Sequence, residues 1–249
     1  MIDEALAPGA EIALDEGQAR HVGAVLRLGA GDQVRVFNAR DGEWQASIAG
    51  QSKRGATVRV QTLLRQAVAP RDLDLLFAPV KRHATDLIVE KATELGVARI
   101  RPVITQRTIA ETVRVDRLAL IAREAAEQTE RFDAPEIASP VSLAKALDGW
   151  DAARPLIYAD ERGDDENATW GGETGRARPL LDALRGVQAS KLALLIGPEG
   201  GFTPEERRLL RSLPHVIPVS LGPRILRAET AVIAALSVIQ AAWGDWSNA

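Results

Sequence analysis

The chain has 249 residues, 46% of them hydrophobic, and a formal net charge of −3. It is long enough to bury one large core or two smaller ones, so disorder throughout is excluded, and its mild acidity does not announce a nucleic-acid binder by charge alone. No cysteine is present, which removes disulfides, thiolate zinc sites and thiol nucleophiles together and leaves the redox compartment open.

The first residues, Met1 to Pro8, are acidic and lack both a basic and an apolar leader region, so no signal peptide is expected and the cytoplasm is the default location. Asp15 is placed to cap a helix running to about Leu28, which Gly29 and Gly31 then end. Alternating segments follow at Gln33 to Asn38, Glu43 to Ala49 and Ala56 to Leu64, with the hairpin signal Asp41-Gly42 between the first two. Residues 1–69 thus read as a small β-rich domain. Val68 to Asp72 reads as a linker into a second domain, residues 72–249.

From Leu73 the period switches. Strand-like Leu73 to Ala78, Ala98 to Ile104, Leu156 to Ala159, Leu192 to Ile196 and Val216 to Leu221 alternate with helix-like segments. These are His83 to Leu95, Asp116 to Glu130, Pro179 to Leu184, Pro204 to Leu213 and Ala228 to Trp243. That alternation predicts an α/β domain with a parallel sheet covered on both faces. Gly96 and Gly244 fall where a helix C-terminus favours a left-handed residue. Arg162 to Arg178 is polar and glycine-rich, which predicts a surface loop. The stretch Ala231 to Trp243 is shorter than the roughly 20 residues that span a bilayer and carries Ser237 and Gln240, so it reads as a buried helix and no membrane partner is expected.

Two segments of the second domain carry more than connection requires. Leu195-Ile196-Gly197-Pro198-Glu199-Gly200-Gly201-Phe202-Thr203-Pro204-Glu205-Glu206 leaves a strand, crosses a glycine-rich turn and opens a helix. Thr203 can cap that helix, Pro204 suits its first position, and Glu206 can reach back to the cap amide. Gly197, Gly200 and Gly201 remove the Cβ atoms that would hold a ligand off the backbone. About 25 residues on, Val219-Ser220-Leu221-Gly222-Pro223-Arg224-Ile225-Leu226-Arg227-Ala228-Glu229-Thr230-Ala231 repeats the strand–loop–helix pattern. If their strands are neighbours in a parallel sheet, the two loops meet in one crevice at its carboxyl edge. The plain alternative is a pair of tight, capped connections.

The first loop lacks the Lys and Ser/Thr of a phosphate-binding loop and carries Glu199, which repels phosphate oxygens. Neither loop has the G-x-G-x-x-G spacing of dinucleotide sites, so a nucleotide-using α/β enzyme is disfavoured. A ligand with a neutral heterocycle and a cationic centre fits better. The three histidines, His21, His83 and His215, share no short spacing, so no metal site is expected, and His215 reads as structural.

These two segments closely resemble the signatures of the ribosomal small-subunit methyltransferase E family, of the trefoil-knotted SPOUT class. His21 to Leu28, Glu90 to Val97 and Glu124 to Thr129 are similar to that family too, in the same order and spacing, so the likeness covers nearly the whole chain. Two places depart from it. Lys81-Arg82-His83 stands where the family usually carries glycine, and the stretch from Arg162 to Arg178 is longer and more acidic.

The resemblance implies a PUA-like β-barrel followed by a knotted α/β domain that forms a homodimer. It implies transfer of a methyl group from S-adenosylmethionine to N3 of one uridine in 16S ribosomal RNA, the small ribosomal subunit being the partner. It assigns cofactor binding to Gly197, Glu199, Gly200, Gly201, Leu221, Gly222, Ile225 and Leu226. A subunit-boundary crevice further predicts dimerisation through the last helix, on a face around Ala231, Ala234, Ala235, Val238 and Ala242.

The chemistry constrains the reaction independently. Methylation of pyrimidine C5 normally needs a cysteine to add at C6, so in this chain nitrogen or oxygen methylation remains. As the N3 proton of uracil leaves, negative charge spreads to O2 and O4, where a cation stabilises it. Arg227 is the first candidate for that role and Arg224 the second. Glu229 either accepts the proton, orients Arg227 or simply complements the helix dipole. Arg20 and Arg27, seven apart on the expected first helix, together with Arg82, Arg107 and Arg131, are candidate RNA contacts. The competing reading is an RNA-binding module without catalysis.

Overall fold

The computed structural model describes residues 1–52, 55–109, 112–160 and 177–248. The expected loop from Arg162 to Arg178 therefore lies outside the described residues except for its last two. The chain divides into two compact units, Met1–Ala69 with Glu130–Asp133, and Pro70–Thr129 with Ala134–Ala249.

In the first unit the strands β1 (Glu11–Ala13), β2 (Gln33–Asn38), β3 (Gly42–Ser52) and β4 (Gly55–Arg65) form an antiparallel sheet in the order β1-β4-β3-β2. Alternation puts Val36, Ala46, Val58 and Val60 on one face, where they close over Ile2, Leu6 and Ile12. The β2–β3 hairpin turns at the expected Asp41-Gly42. Gly42 has φ +81°, and a Cβ there would lie 2.2 Å from the Arg65 carbonyl oxygen, so only glycine fits. Arg40 first, then the Leu6 amide and Asn38, hold the Asp41 carboxyl well below the usual carboxylate range. Glu130 joins this unit through Arg35 at 2.9 Å and Arg65 at 3.1 Å.

The first helix is shorter than expected. Asp15 caps α1 (Glu16–Arg20) through a full capping box, but the chain then opens into a π-helical turn, His21–Val25, and Arg27 adopts φ +56°. Valine at 22 and 25 and glycine at 23 are weak helix formers, and the widened turn closes instead on the Leu26 amide to His21 carbonyl bond of 2.9 Å. The seven-residue spacing of Arg20 and Arg27 thus does not set them on one helical face, although both are exposed.

The second unit holds one parallel sheet of β5 (Asp72–Phe77), β6 (Arg99–Ile104), β7 (Glu136–Ile137), β8 (Val141–Ser142), β9 (Leu156–Ala159), β10 (Arg178–Pro179), β11 (Lys191–Ile196) and β12 (Val216–Ser220). Its order is β10-β12-β9-β11-β5-β6-β7, with β8 also on β6. On β11, Leu192, Leu194 and Ile196 enter one core and Ala193 and Leu195 the other. A strand buried on both faces has no polar side to show, hence its unbroken apolar run.

One face is covered by α2 (Arg82–Glu94), α3 (Val115–Gln128), α5 (Leu180–Leu184) and α7 (Ala228–Ala242), the other by α4 (Leu143–Leu147) and α6 (Pro204–Ser212). Gly96 has φ +78°, as expected for the end of α2. β1, β7, β8 and α4 had no counterpart in the sequence reading, being two to five residues long. Among the described residues no helix is long and apolar enough to cross a membrane.

Candidate active site

A cavity of about 460 Å³ opens off the carboxyl ends of β9, β11 and β12. The two glycine-bearing loops do converge on it, but their strands are not neighbours: β9 lies between them, pairing with both β11 and β12. The site therefore has a third wall, from Tyr158 to Asp160, which no glycine marked in the sequence.

Local chemistry shapes the first loop. The Gly201 amide donates to the Pro198 carbonyl at 2.8 Å, and Gly201 takes φ +67°. A Cβ on Gly197 would lie 2.5 Å from the ring of Phe202, which itself packs edge-on against Tyr158 at 5.1 Å. The bare backbone at Gly197 is thus what allows the turn to fold back over its own aromatic.

The capping box forms as expected. Thr203 Oγ1 accepts from the Glu206 amide at 3.3 Å, and Glu206 Oε2 accepts from the Thr203 amide at 2.9 Å. Glu206 Oε1 also accepts from the Gln106 amide at 2.8 Å, and Arg107 donates to the Gly200 carbonyl at 2.7 Å. The segment after β6 therefore clamps the loop. Arg107, expected to touch RNA, is placed on the cavity wall with a hydrogen bond to the loop backbone.

The second loop turns on Gly222, at φ +112°, with Ser220 Oγ accepting from the Gly222 amide at 3.1 Å. Beneath both loops, Asp160 is buried and takes two guanidinium groups of α6. Arg207 meets it at 3.0 and 3.1 Å, Arg211 at 2.6 and 2.8 Å. Burial pushes the neighbouring Tyr158 phenol above its ordinary value, with the Asp160 charge adding to it, so it stays protonated.

The expected cofactor residues Gly197, Glu199, Gly200 and Gly201 line the cavity, as do Leu221, Gly222, Ile225 and Leu226. Arg224 does as well. Arg227 and Glu229 stand just outside the lining, at the N-cap and in the first turn of α7. All three charged residues are without an ion-pair partner among the described residues, whereas Asp160, Arg207, Arg211 and Glu206 are fully engaged. Their charges are therefore free to meet a ligand bound in or beside the cavity.

Of the other expected contacts, Arg82 is exposed at the start of α2. Arg131 belongs to the first unit, where its guanidinium is largely buried against Asp133 at 2.6 Å. His215 stacks on Trp150 at 6.0 Å, a packing role. Among the described residues no group of three or more metal-ligating side chains gathers.

The cavity suits S-adenosylmethionine in kind. Its volume falls in the range of small-molecule sites. Its loops offer main-chain groups where side chains would intrude, and they present no phosphate cradle.

Comparison with known proteins agrees. A family model described as an RNA methyltransferase domain matches residues 67–240, and an RNA methyltransferase PUA domain matches residues 14–61. The chain is 32% identical to the ribosomal RNA small subunit methyltransferase E of Rickettsia conorii, over 96% of this chain and 93% of that one. A putative methyltransferase of Legionella pneumophila, solved with bound cofactor SAM, superposes with a TM-score of 0.79 at 34% identity, covering 97% of this chain and 96% of the other. The ribosomal RNA small subunit methyltransferase E of Neisseria gonorrhoeae, bound to S-adenosyl methionine, gives 0.81 at 26% identity, with 98% and 97% covered.

Proposed function

Because the chain belongs to the ribosomal RNA small subunit methyltransferase E family, we propose that it methylates 16S ribosomal RNA with S-adenosylmethionine, at N3 of a uridine. The observation that carries this reading is the convergence of both signature loops on one cavity, with unspent charge at its rim. The alternative of an RNA-binding module without catalysis finds no such support, since a binding module needs neither loop.

The bound cofactor supplies an electrophilic methyl group on a sulfonium. Main-chain groups from Gly197 to Gly201 and from Leu221 to Leu226 would hold it, and Phe202 and Leu226 would exclude water. Arg224 on the wall and Arg227 beside it stabilise the charge that develops on O2 and O4 of the uracil as N3 loses its proton. Glu229, half-buried and uncommitted, is the proton acceptor within this reading.

S-adenosylhomocysteine is expected to bind in a calorimeter at micromolar to submillimolar concentration, and purified small subunits to acquire one methyl group on a uridine N3, located by nucleoside mass spectrometry. Absence of binding at millimolar ligand would sink the reading.

The finer expectations belong to the same proposal. We place the protein in the cytoplasm, with its substrate. Membership of the family supports the trefoil knot that the resemblance implies. Ala231 and Ala235 of the expected dimer face are buried in the chain's own core, against which Val238 also packs, so an interface through α7 would use Ala234, half-buried, and Ala242, exposed. Light scattering at micromolar concentration should give twice the chain mass, and a monomer would refute the dimer.

A further inference from the structure

A second cavity, of about 350 Å³, opens one strand along the sheet, off the carboxyl end of β5. The two sites start side by side: the Ala78 amide donates to the Ile196 carbonyl at 3.0 Å. From there one strand runs into Pro79–Arg82 and the other into Gly197–Phe202.

The wall of this second cavity is basic. Lys81 and Arg82 come from the start of α2 and Arg114 and Arg117 from the start of α3, against a single lining acid among the described residues, Asp86. Arg117 is held by Asp86 in a two-point ion pair, and Arg114 by Asp116 at 2.8 and 3.1 Å. Counting both acids still leaves, among the described residues, a surplus of two positive charges, on a chain whose net charge is −3. Lys81 and Arg82 are that surplus. Both are exposed and have no ion-pair partner among the described residues. The remaining lining is largely apolar, with Val80 and Leu118 behind and Ile109 at the rim.

A neutral metabolite would leave both of these unpaired cations unused, whereas an anionic ligand would engage them. A strand of RNA whose target base reaches the first cavity carries a backbone phosphate on either side of that nucleotide, and phosphate contacts are what fix such a strand in register. We propose that this cavity seats a backbone phosphodiester of the RNA adjoining the target nucleotide, with Lys81 and Arg82 as the contacting cations. The proposal rests on the methyltransferase reading above. It gives Arg82 its expected role and adds Lys81 as its companion.

The test is the double variant Lys81→Ala/Arg82→Ala, with small ribosomal subunits as methyl acceptor and a fluorescein-labelled single-stranded ribo-oligonucleotide as binding probe. Losing two phosphate contacts should raise KM for subunits roughly tenfold and make the slope of log Kd against log salt shallower by about 0.7 for each cation. Affinity for S-adenosylhomocysteine should be unchanged, and Arg82→Lys, which keeps the charge, should retain the wild-type slope. If the wild-type protein fails to methylate subunits, the methyltransferase reading itself falls. If it methylates and the double variant matches it in KM and salt slope, the phosphate site alone is refuted. A variant that becomes monomeric from a dimeric parent would assign the cavity to a second copy of the chain and overturn the proposal.

Discussion

Arg227→Ala is expected to lower turnover by about two to three orders of magnitude while leaving the dissociation constant of S-adenosylhomocysteine nearly unchanged, the magnitude being that of removing one preorganised donor from a charge-developing centre. The split follows from where the residue stands. Arg227 is exposed and caps α7 with its backbone alone, making no side-chain cap bond, so its removal costs little stability. It is absent from the cavity lining, although Leu226 and Ala228 beside it belong to that lining, so its removal is expected to spare cofactor contacts. Its charge is needed only when the uracil ring turns anionic, and an interaction made only in the transition state appears in kcat rather than in ground-state binding. Arg224 differs because it lines the cavity, and its replacement should weaken both quantities. Single-turnover methylation of small subunits, set beside calorimetry on the same preparations, separates the two. Equal loss of rate and cofactor affinity in the Arg227 variant would remove it from the chemistry.

The difference between these two arginines was not legible in the sequence. They sit three apart in one loop, which after the left-handed turn at Gly222 brings Arg224 to the cavity lining and leaves Arg227 at the helix start. What was legible has a simple cause. Capping boxes at Asp15 and Thr203 and turn glycines such as Gly42 and Gly201 act within a few residues of themselves, and the sequence displays such local physics directly. The parallel sheet was visible because its strands are apolar on both faces.

Strand order is a long-range property. Nothing in Leu156 to Ala159 says that it will lie between β11 and β12, so Tyr158 and Asp160 went unnoticed as walls of the site. The one available signal was an aspartate at the carboxyl end of an apolar strand in an α/β domain, where such folds place ligands. Arg107's place on the cavity wall was hidden for the same reason: its bond to Gly200 joins residues 93 apart in the chain. The first helix failed for a local reason, since valines and a glycine inside it argued against the full length read from its caps.

Asp160→Asn is expected to destabilise the second unit by about 3–5 kcal/mol, the usual consequence of breaking a buried ion pair from one side. Asparagine keeps the shape and one acceptor oxygen but removes the charge that two guanidinium groups share. The Asp160 side chain is 2% exposed, those of Arg207 and Arg211 11% and 17%, so water cannot take its place. At a few degrees per kcal/mol for a chain of this size, the midpoint of thermal unfolding should fall by roughly 10 °C.

The control lies on the same helix. Glu205 and Arg208 pair at 3.0 Å with side chains more than 60% exposed, and Glu205→Ala should change stability by less than about 1 kcal/mol because solvent screens such pairs. Function should follow stability in the first variant only. Asp160 lines the cavity and fixes α6, whose capping box in turn holds the Gly197–Phe202 loop. Loosening that helix releases the loop, so affinity for S-adenosylhomocysteine should fall with the melting temperature. A variant that melts with the wild type, or that melts early yet binds with full affinity, would show that the buried carboxylate does not organise the site.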